Sequence, residues 1–295
     1  MQRPSTTTLL AGVVDYAGLF PPAGRTMPAA VAEYEAARAG DHAWMLGRFV
    51  VPAARLSELA DALAPLPADR AEWRLSAIVR DGVDADAAAV ATFNNALSRH
   101  RARVDTAEAR PAALDGIDWL AAQFGAGIDL YVEVAPGPDA DRWLERIAAR
   151  GLRAKVRTGG VTADAFPTPA ALAAFLAATV RHKVTFKATA GLHHAVRGAY
   201  RLTYEPGATA APMYGYLNVL LATAALRAGK SAATAEALLQ MTDITTLEFT
   251  ADAVRWGADR FPLSMLRDTR SHHLVSFGSC SFQEPVDEFD ALASR

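Results

Sequence analysis

A single cysteine, Cys280, in 295 residues leaves no partner for an internal disulfide and rules out a zinc site built from several thiolates. That scarcity fits a reducing compartment, so a cytoplasmic location is expected. Charge of one sign is scarce too: 30 Lys and Arg stand against 32 Asp and Glu, a formal net charge of -2, and no dense basic block occurs. The electrostatic footprint of a nucleic-acid or anionic-membrane partner is therefore missing, and a small neutral or anionic molecule is expected instead. Long hydrophobic runs are also lacking. The most apolar late stretch, 213–226, is interrupted by Asn218 and is shorter than the ~20 residues a bilayer needs, so it reads as a buried helix. Near the start, the apolar run 9–14 ends at Asp15, too soon for an export signal. No repeat is visible beyond a βα period, and the one compositional bias, alanine, suits helix packing.

What is present is apolar: 51% of the residues are hydrophobic, enough for one α/β barrel or two smaller domains. Strand-length, β-branched runs recur at 10–15, 45–51, 74–79, 102–107, 130–134, 154–157, 185–189 and 274–277. Helix-period segments at 28–39, 53–64, 84–98, 112–124, 139–149 and 169–180 separate them, the last opened by Thr168 as a cap and Pro169 in the first turn. Strict alternation over eight strands predicts a closed (β/α)8 TIM barrel rather than an open doubly wound sheet. The regular spacing fails once, at 196–273, which is far longer than a crossover needs. It reads as a loop over 197–212 and helices at 213–228, 232–240 and 252–257, a helical lid or a subunit contact on a single-domain barrel. The apolar helix in it packs on the barrel or on a second copy, which leaves a homo-oligomer open.

In such a barrel the C-terminal strand ends form one rim, where catalytic groups gather. Two lysines stand out there, Lys155 in Ala-Lys-Val-Arg-Thr-Gly-Gly and Lys187 in Phe-Lys-Ala-Thr-Ala-Gly, each on an apolar strand just before a glycine turn. An ammonium on a buried strand is costly unless paired or neutralised, and a second cation beside it favours the neutral, nucleophilic amine. Alternation places Lys155 with Arg157, and Lys187 with Thr189, on one side. The competing reading puts the lysines in a structural ion-pair network with Glu133 and Asp105. Other rim candidates are Asp15 and Tyr16 on the first strand, Arg48 and Arg80, Asp105 and Glu108 on the fourth, and Tyr131 and Glu133 on the fifth. His193 and His194 suggest a metal-dependent alternative with nearby carboxylates, but adjacent residues of an extended segment point apart, so no metal is assigned. Gly159, Gly191 and Gly278, with Ser279 and Ser281, offer a phosphate-binding rim at strands six to eight, where barrels commonly hold phosphate.

At these residues the chain resembles the deoxyribose-phosphate aldolase family of class I aldolases, in the same strand order. Lys155-Val-Arg-Thr-Gly159 is similar to that family's sixth-strand Lys-Thr-Ser-Thr-Gly, whose lysine forms the Schiff base, and Lys187-Ala-Thr-Ala-Gly191 to its seventh-strand lysine motif. Val104-Asp105 is placed like the family's proton-transferring aspartate, Val14-Asp15 like its first-strand aspartate, and Phe277-Gly-Ser-Cys-Ser281 like its eighth-strand phosphate segment. Tyr131 stands near where the family carries a further lysine. The resemblance implies a carbon–carbon lyase without a cofactor, acting on a small aldehyde or ketone, with or without a phosphate. Lys155 would be the nucleophile, held neutral by Lys187 and Arg157, with Asp105 or Glu133 moving the proton. A non-catalytic barrel binding an anion on its basic rim is the alternative from another class.

Overall fold

The structure, a computed structural model, describes residues 3–67, 71–80, 82–96 and 101–293. Eight parallel strands close into a barrel: β1 (Val14–Tyr16), β2 (Leu46–Pro52), β3 (Trp73–Ile78), β4 (Ala102–Ala109), β5 (Asp129–Glu133), β6 (Arg153–Arg157), β7 (Phe186–Thr189) and, much later, β13 (Leu274–Ser279), which pairs back onto β1. This is the expected (β/α)8 TIM barrel. The helices α1 (Pro4–Leu10), α2 (Met27–Ala39), α3 (Leu56–Leu63), α4 (Val83–Asn95), α5 (Gly116–Gln123), α6 (Ala140–Ala149) and α7 (Pro169–His182) accompany the first seven strands. Residues 97 and 98 of the expected helix 84–98 lie outside the described residues. The expected first strand is shorter than read, because residues 4–10 are helical.

Local chemistry sets the helix ends. Thr168 Oγ1 accepts the Ala171 amide at 3.2 Å and Pro169 enters the first turn of α7, while Lys183 ends it in a left-handed conformation at φ 56°. Phe49, Trp73 and Tyr34 pack between sheet and helices with ring centroids 4.5–5.4 Å apart, so Phe49 marks the outward phase of β2. The neighbouring Arg48 and Val50 then face the barrel axis. The stretch Ala163–His182 has the length and hydropathy of a bilayer span, but Phe166–Thr168 breaks it and α7 packs against α6 and other helices of the ring.

One register irregularity positions the site. Leu75 pairs with Val104 and Ser76 with Thr106, which makes Asp105 the extra residue of a β-bulge in β4. Strict alternation would turn Glu108 away from the side that Asp105 faces; the bulge resets the phase, and both face the barrel interior, three residues apart.

The long segment between β7 and β13 is not uniformly helical. A hairpin of β8 (Gly198–Arg201) and β9 (Ala210–Met213) is followed by α8 (Tyr216–Arg227) and α9 (Ala232–Gln240). Then comes an antiparallel sheet of β10 (Leu247–Phe249), β11 (Ala253–Trp256) and β12 (Asp259–Pro262). The expected helix at 252–257 is therefore a strand, ended by Gly257 at φ 56° where a two-residue turn leads into β12. A helix not foreseen, α10 (Leu263–His272), leads into β13, and α11 (Gln283–Ala293) closes the chain. Residues 216–226 of α8 are all buried within the chain, against α7, α9, α10 and β13, so the barrel covers this helix itself. Asn218, wholly buried, ties the segment together: its side chain accepts the Arg197 and Gly215 amides at 2.7 and 3.0 Å and donates to the Leu238 and Met241 carbonyls at 2.7 and 2.8 Å.

Candidate functional site

Two lysine side chains cannot enter a barrel core without counter-charges, and the sequence supplies them on three different strands, β1, β4 and β5. Lys187 Nζ, only 2% exposed, donates to Asp15 Oδ2 and to Glu108 Oε1, both at 2.6 Å. Lys155 Nζ lies 2.9 Å from Glu108 Oε2 and 3.0 Å from Glu133 Oε2. Glu108 thus joins both ammonium groups through its two oxygens, with Ser76 Oγ donating to it at 2.6 Å. Ser276 Oγ donates to Asp15 at 2.8 Å, and Arg157 Nε reaches Glu133 at 3.0 Å. Asp15, Glu108 and Glu133 thus balance Lys155, Lys187 and Arg157, while the exposed Arg110 reaches Glu133 at 3.7 Å from the solvent side; such balance is the condition under which buried charges are tolerated.

The electrostatics follow from that arrangement. Burial alone would raise Glu108, but Lys155 and Lys187 hold its carboxyl far below the usual carboxylate range. Glu133 is lowered against its burial by Lys155 and Arg157. Burial would lower Lys187, yet Asp15 and Glu108 hold it above its ordinary value, so it stays an ammonium. The two lysines are on one side of the wall, as the alternation predicts. They do not meet as bare cations, however: the interposed Glu108 offsets the repulsion that was expected to keep Lys155 neutral.

A cavity of about 330 Å3 opens above this cluster at the C-terminal rim, a volume suited to a small metabolite. Lys155, Lys187 and Glu108 line it, as do Arg80, Arg157, Thr189, His193, His194, Gly191 and Gly278. Arg201 and Tyr204 reach it from the β8–β9 hairpin, and Phe20, Pro21 and Pro22 from the loop after β1. The Arg80 and Arg201 side chains have no ion-pair partner among the described residues, which leaves two cationic groups at the mouth.

Other expected residues lie elsewhere. Asp105 is not at the lysines: Arg48 Nε and Arg74 Nε hold it, each at 2.6 Å, nearer the N-terminal end of the barrel. Arg48 is consumed in that pair rather than free to clamp a substrate. Tyr131 fills the barrel interior beneath Lys187, whose Nζ is 5.7 Å from its ring, and accepts a bond from Arg153. Tyr16 points into the helix layer, donating to Glu33. Asp15 is buried and holds Lys187 rather than lining the cavity. Glu133 sits behind Lys155, screened from the cavity by it and Arg157.

The rim proposed for phosphate is partly used up by its own loops. A Cβ on Gly159 would fall 2.3 Å from the Phe166 ring, so this glycine makes room for an aromatic side chain. Ser279 Oγ donates to the Ser281 carbonyl at 2.6 Å, and Ser281 Oγ accepts the Glu284 amide at 3.2 Å. Glu284, an acid, lines the cavity beside them. In the turn after β7, Ala190 adopts φ 62° and Gly191 φ 72°, a conformation held by Thr158 Oγ1 on the Ala190 carbonyl at 2.7 Å. The two histidines diverge: His193 Nδ1 meets Glu284 at 2.7 Å, while His194 Nδ1 meets Glu288 at 2.5 Å and its ring stacks on Tyr200. Among the described residues no three His, Cys, Asp or Glu groups converge as a metal site.

Glu108 was a rim candidate without the central part it takes here, and the residues that sequence reasoning missed are Ser76, Ser276, Arg201, Tyr204 and Glu284. Glu108 carried a signal, an acid on an apolar strand, but its phase depended on the bulge. The last three come from a hairpin and a helix remote in sequence, and nothing local marks them. No protein-family model matches the chain, and comparison with curated proteins gives no match.

Proposed function

We propose that the protein is a carbon–carbon lyase of the class I, Schiff-base type, acting on a small aldehyde or ketone. The observation that carries this reading is that Lys155 lines the cavity floor while sharing Glu108 with a second lysine, Lys187. Lys187 is held protonated by Asp15 and Glu108, which leaves Lys155 as the attacking amine. Its proton has Glu108 and Glu133 as acceptors, at 2.9 and 3.0 Å. Attack on the carbonyl carbon and loss of water give an iminium, a cation in the place of the ammonium. The neutrality of the cluster is therefore preserved from resting state to intermediate, and no uncompensated charge is created in the barrel core. The iminium takes up the electron pair of the breaking carbon–carbon bond. Glu108, the acid of the cluster that lines the cavity, replaces Asp105 as the group that moves the α-proton, directly or through water.

The free guanidinium groups of Arg80 and Arg201 favour a substrate with an anionic end turned to the mouth. The order of motifs that resembles the deoxyribose-phosphate aldolase family adds support, with Glu108 rather than Asp105 in the fourth-strand role. Incubation with a panel of small aldehydes and ketones and borohydride should attach a reduced adduct to Lys155, located by peptide mass mapping. Equal labelling of Lys155→Ala, or an adduct confined to surface lysines, would overturn the assignment.

A further inference from the structure

The wall of the cavity above β7 and β13, beside Lys187, carries a second group of reactive side chains that the Schiff-base chemistry does not use. Cys280, directly after β13 and 4% exposed, lines the cavity, and its Sγ lies 3.9 Å from His193 Nε2. The other ring nitrogen, Nδ1, meets Glu284 Oε2 at 2.7 Å and Ser279 Oγ at 3.3 Å. Tyr204, from the hairpin insertion, places its hydroxyl 3.5 Å from Sγ and 3.1 Å from the same Glu284 oxygen. A thiol facing one imidazole nitrogen, with a carboxylate fixing the other, is the arrangement that makes a sulfur nucleophilic. The four side chains come from three segments, the turn after β7, the β8–β9 hairpin and the stretch 280–284 after β13, so their meeting at a cavity wall is a product of the tertiary fold. Burial lowers His193, but hydrogen bonds to Cys280 and Glu284 outweigh it and hold the imidazole up to about 9. The other titratable groups around the cluster are Tyr16 from β1, whose phenol is electrostatically coupled to Cys280, and His194 beside Glu284.

We propose that Cys280, with His193 as its proton partner and Glu284 orienting the imidazole, is a second nucleophile of this cavity that adds reversibly to the carbonyl of a small aldehyde. In that step the S–C bond forms and the carbonyl π bond breaks, its electron pair going to oxygen. The proton shared by Sγ and Nε2 passes to that oxygen, giving a hemithioacetal without oxidant or leaving group. The Tyr204 hydroxyl, 3.5 Å from Sγ, donates to Glu284 at 3.1 Å and so helps to fix the carboxylate that orients His193. The aldehyde class rests on the Schiff-base reading, but no atom of Lys155 takes part in the addition, so alkylation of Cys280 tests the nucleophile apart from that reading.

Because the chain has one cysteine, thiol alkylation reports on this site alone. Iodoacetamide alkylation of the full-length protein, followed by intact mass from pH 5 to 9, should at pH 6 run at least tenfold faster than that of N-acetylcysteine. His193→Gln should remove that advantage, and Glu284→Gln should reduce it in part. Thermal melts of both variants check folding; if His193→Gln does not fold, the comparison with Glu284→Gln decides. A wild-type rate that follows an ordinary thiol titrating near about 8.5, a thiol that resists alkylation throughout, or a rate unchanged by the variants would overturn the proposal. Isotope-labelled propionaldehyde should give a hemithioacetal carbon resonance that Cys280→Ser abolishes; its absence from the wild type would overturn the aldehyde assignment. Borohydride adducts at Lys155 are scored apart from both readouts.

Discussion

Glu108→Gln removes one negative charge from the centre of the buried cluster while keeping the shape of the side chain. The wild-type residue is 2% exposed, and its two oxygens serve Lys187 at 2.6 Å and Lys155 at 2.9 Å. In the variant, Asp15 and Glu133 remain to face Lys155, Lys187 and Arg157, so the cluster carries an uncompensated positive charge. The amide oxygen can still accept one ammonium hydrogen bond, but its nitrogen then points a donor at the other ammonium. Removing one partner of a buried ion pair costs about 3–5 kcal/mol. For a domain of this size that lowers Tm by roughly 10 °C. It is also a large share of a total stability of about 5–15 kcal/mol. Urea and thermal unfolding at pH 7 measure the loss. Because deprotonating one buried lysine would restore neutrality, the deficit should shrink as the pH is raised towards 10. A Glu108→Gln protein within ~1 kcal/mol of wild type at pH 7, or a deficit independent of pH, would refute the claim that this carboxylate balances two buried ammonium groups.

Other consequences are open to the same measurements. Glu108 and Glu133 are depressed in the folded state, so their stabilisation is complete above the unfolded carboxylate value near about 4.3 and is lost as the pH falls through their lower folded values; acid titration of unfolding free energy should show a steep decline below about pH 4. Lys187 is raised, so its contribution is complete below about pH 10.4 and is lost only above it. An alkaline loss of stability that sets in well before that pH would contradict the pairing with Asp15. Asn218→Ala strands two amides and two carbonyls in the interior, and with about 1–3 kcal/mol for each unsatisfied group the insertion should detach from the barrel or the chain should fail to fold. Hydrogen exchange over 197–241 would register it, and unaltered protection there would show that the side chain is dispensable.

The phase of side chains along a strand is legible from sequence only while the pairing is regular. Lys155 with Arg157 and Lys187 with Thr189 obeyed alternation, and their common side of the wall followed from the sequence. At β4 the family resemblance points to Asp105, and the bulge that admits Glu108 beside it is set by the pairing of β3 with β4, which no local feature of β4 encodes. The strand at 253–256 is only four residues long, too short for its apolar residues Ala253, Val254 and Trp256 to separate a strand period from a helix period, and its pairing with β10 and β12 decides the matter. Helix α8 was legible for the opposite reason: a run with almost no charge can only be a buried segment.

By itself, then, the sequence determined the alternation of elements, the closure into eight parallel strands and the two lysines near its C-terminal rim, because hydrophobic period and strand length are local properties. The tertiary structure alone decided which acids meet those lysines, that Arg48 and Asp105 lock each other below the site, and that Cys280, His193, Glu284 and Tyr204 converge on the cavity wall above β7 and β13. These are contacts between residues up to 172 positions apart, as for Lys187 and Asp15. The energy of a buried charge depends on the partners that folding brings within a few ångströms, not on its neighbours in the chain.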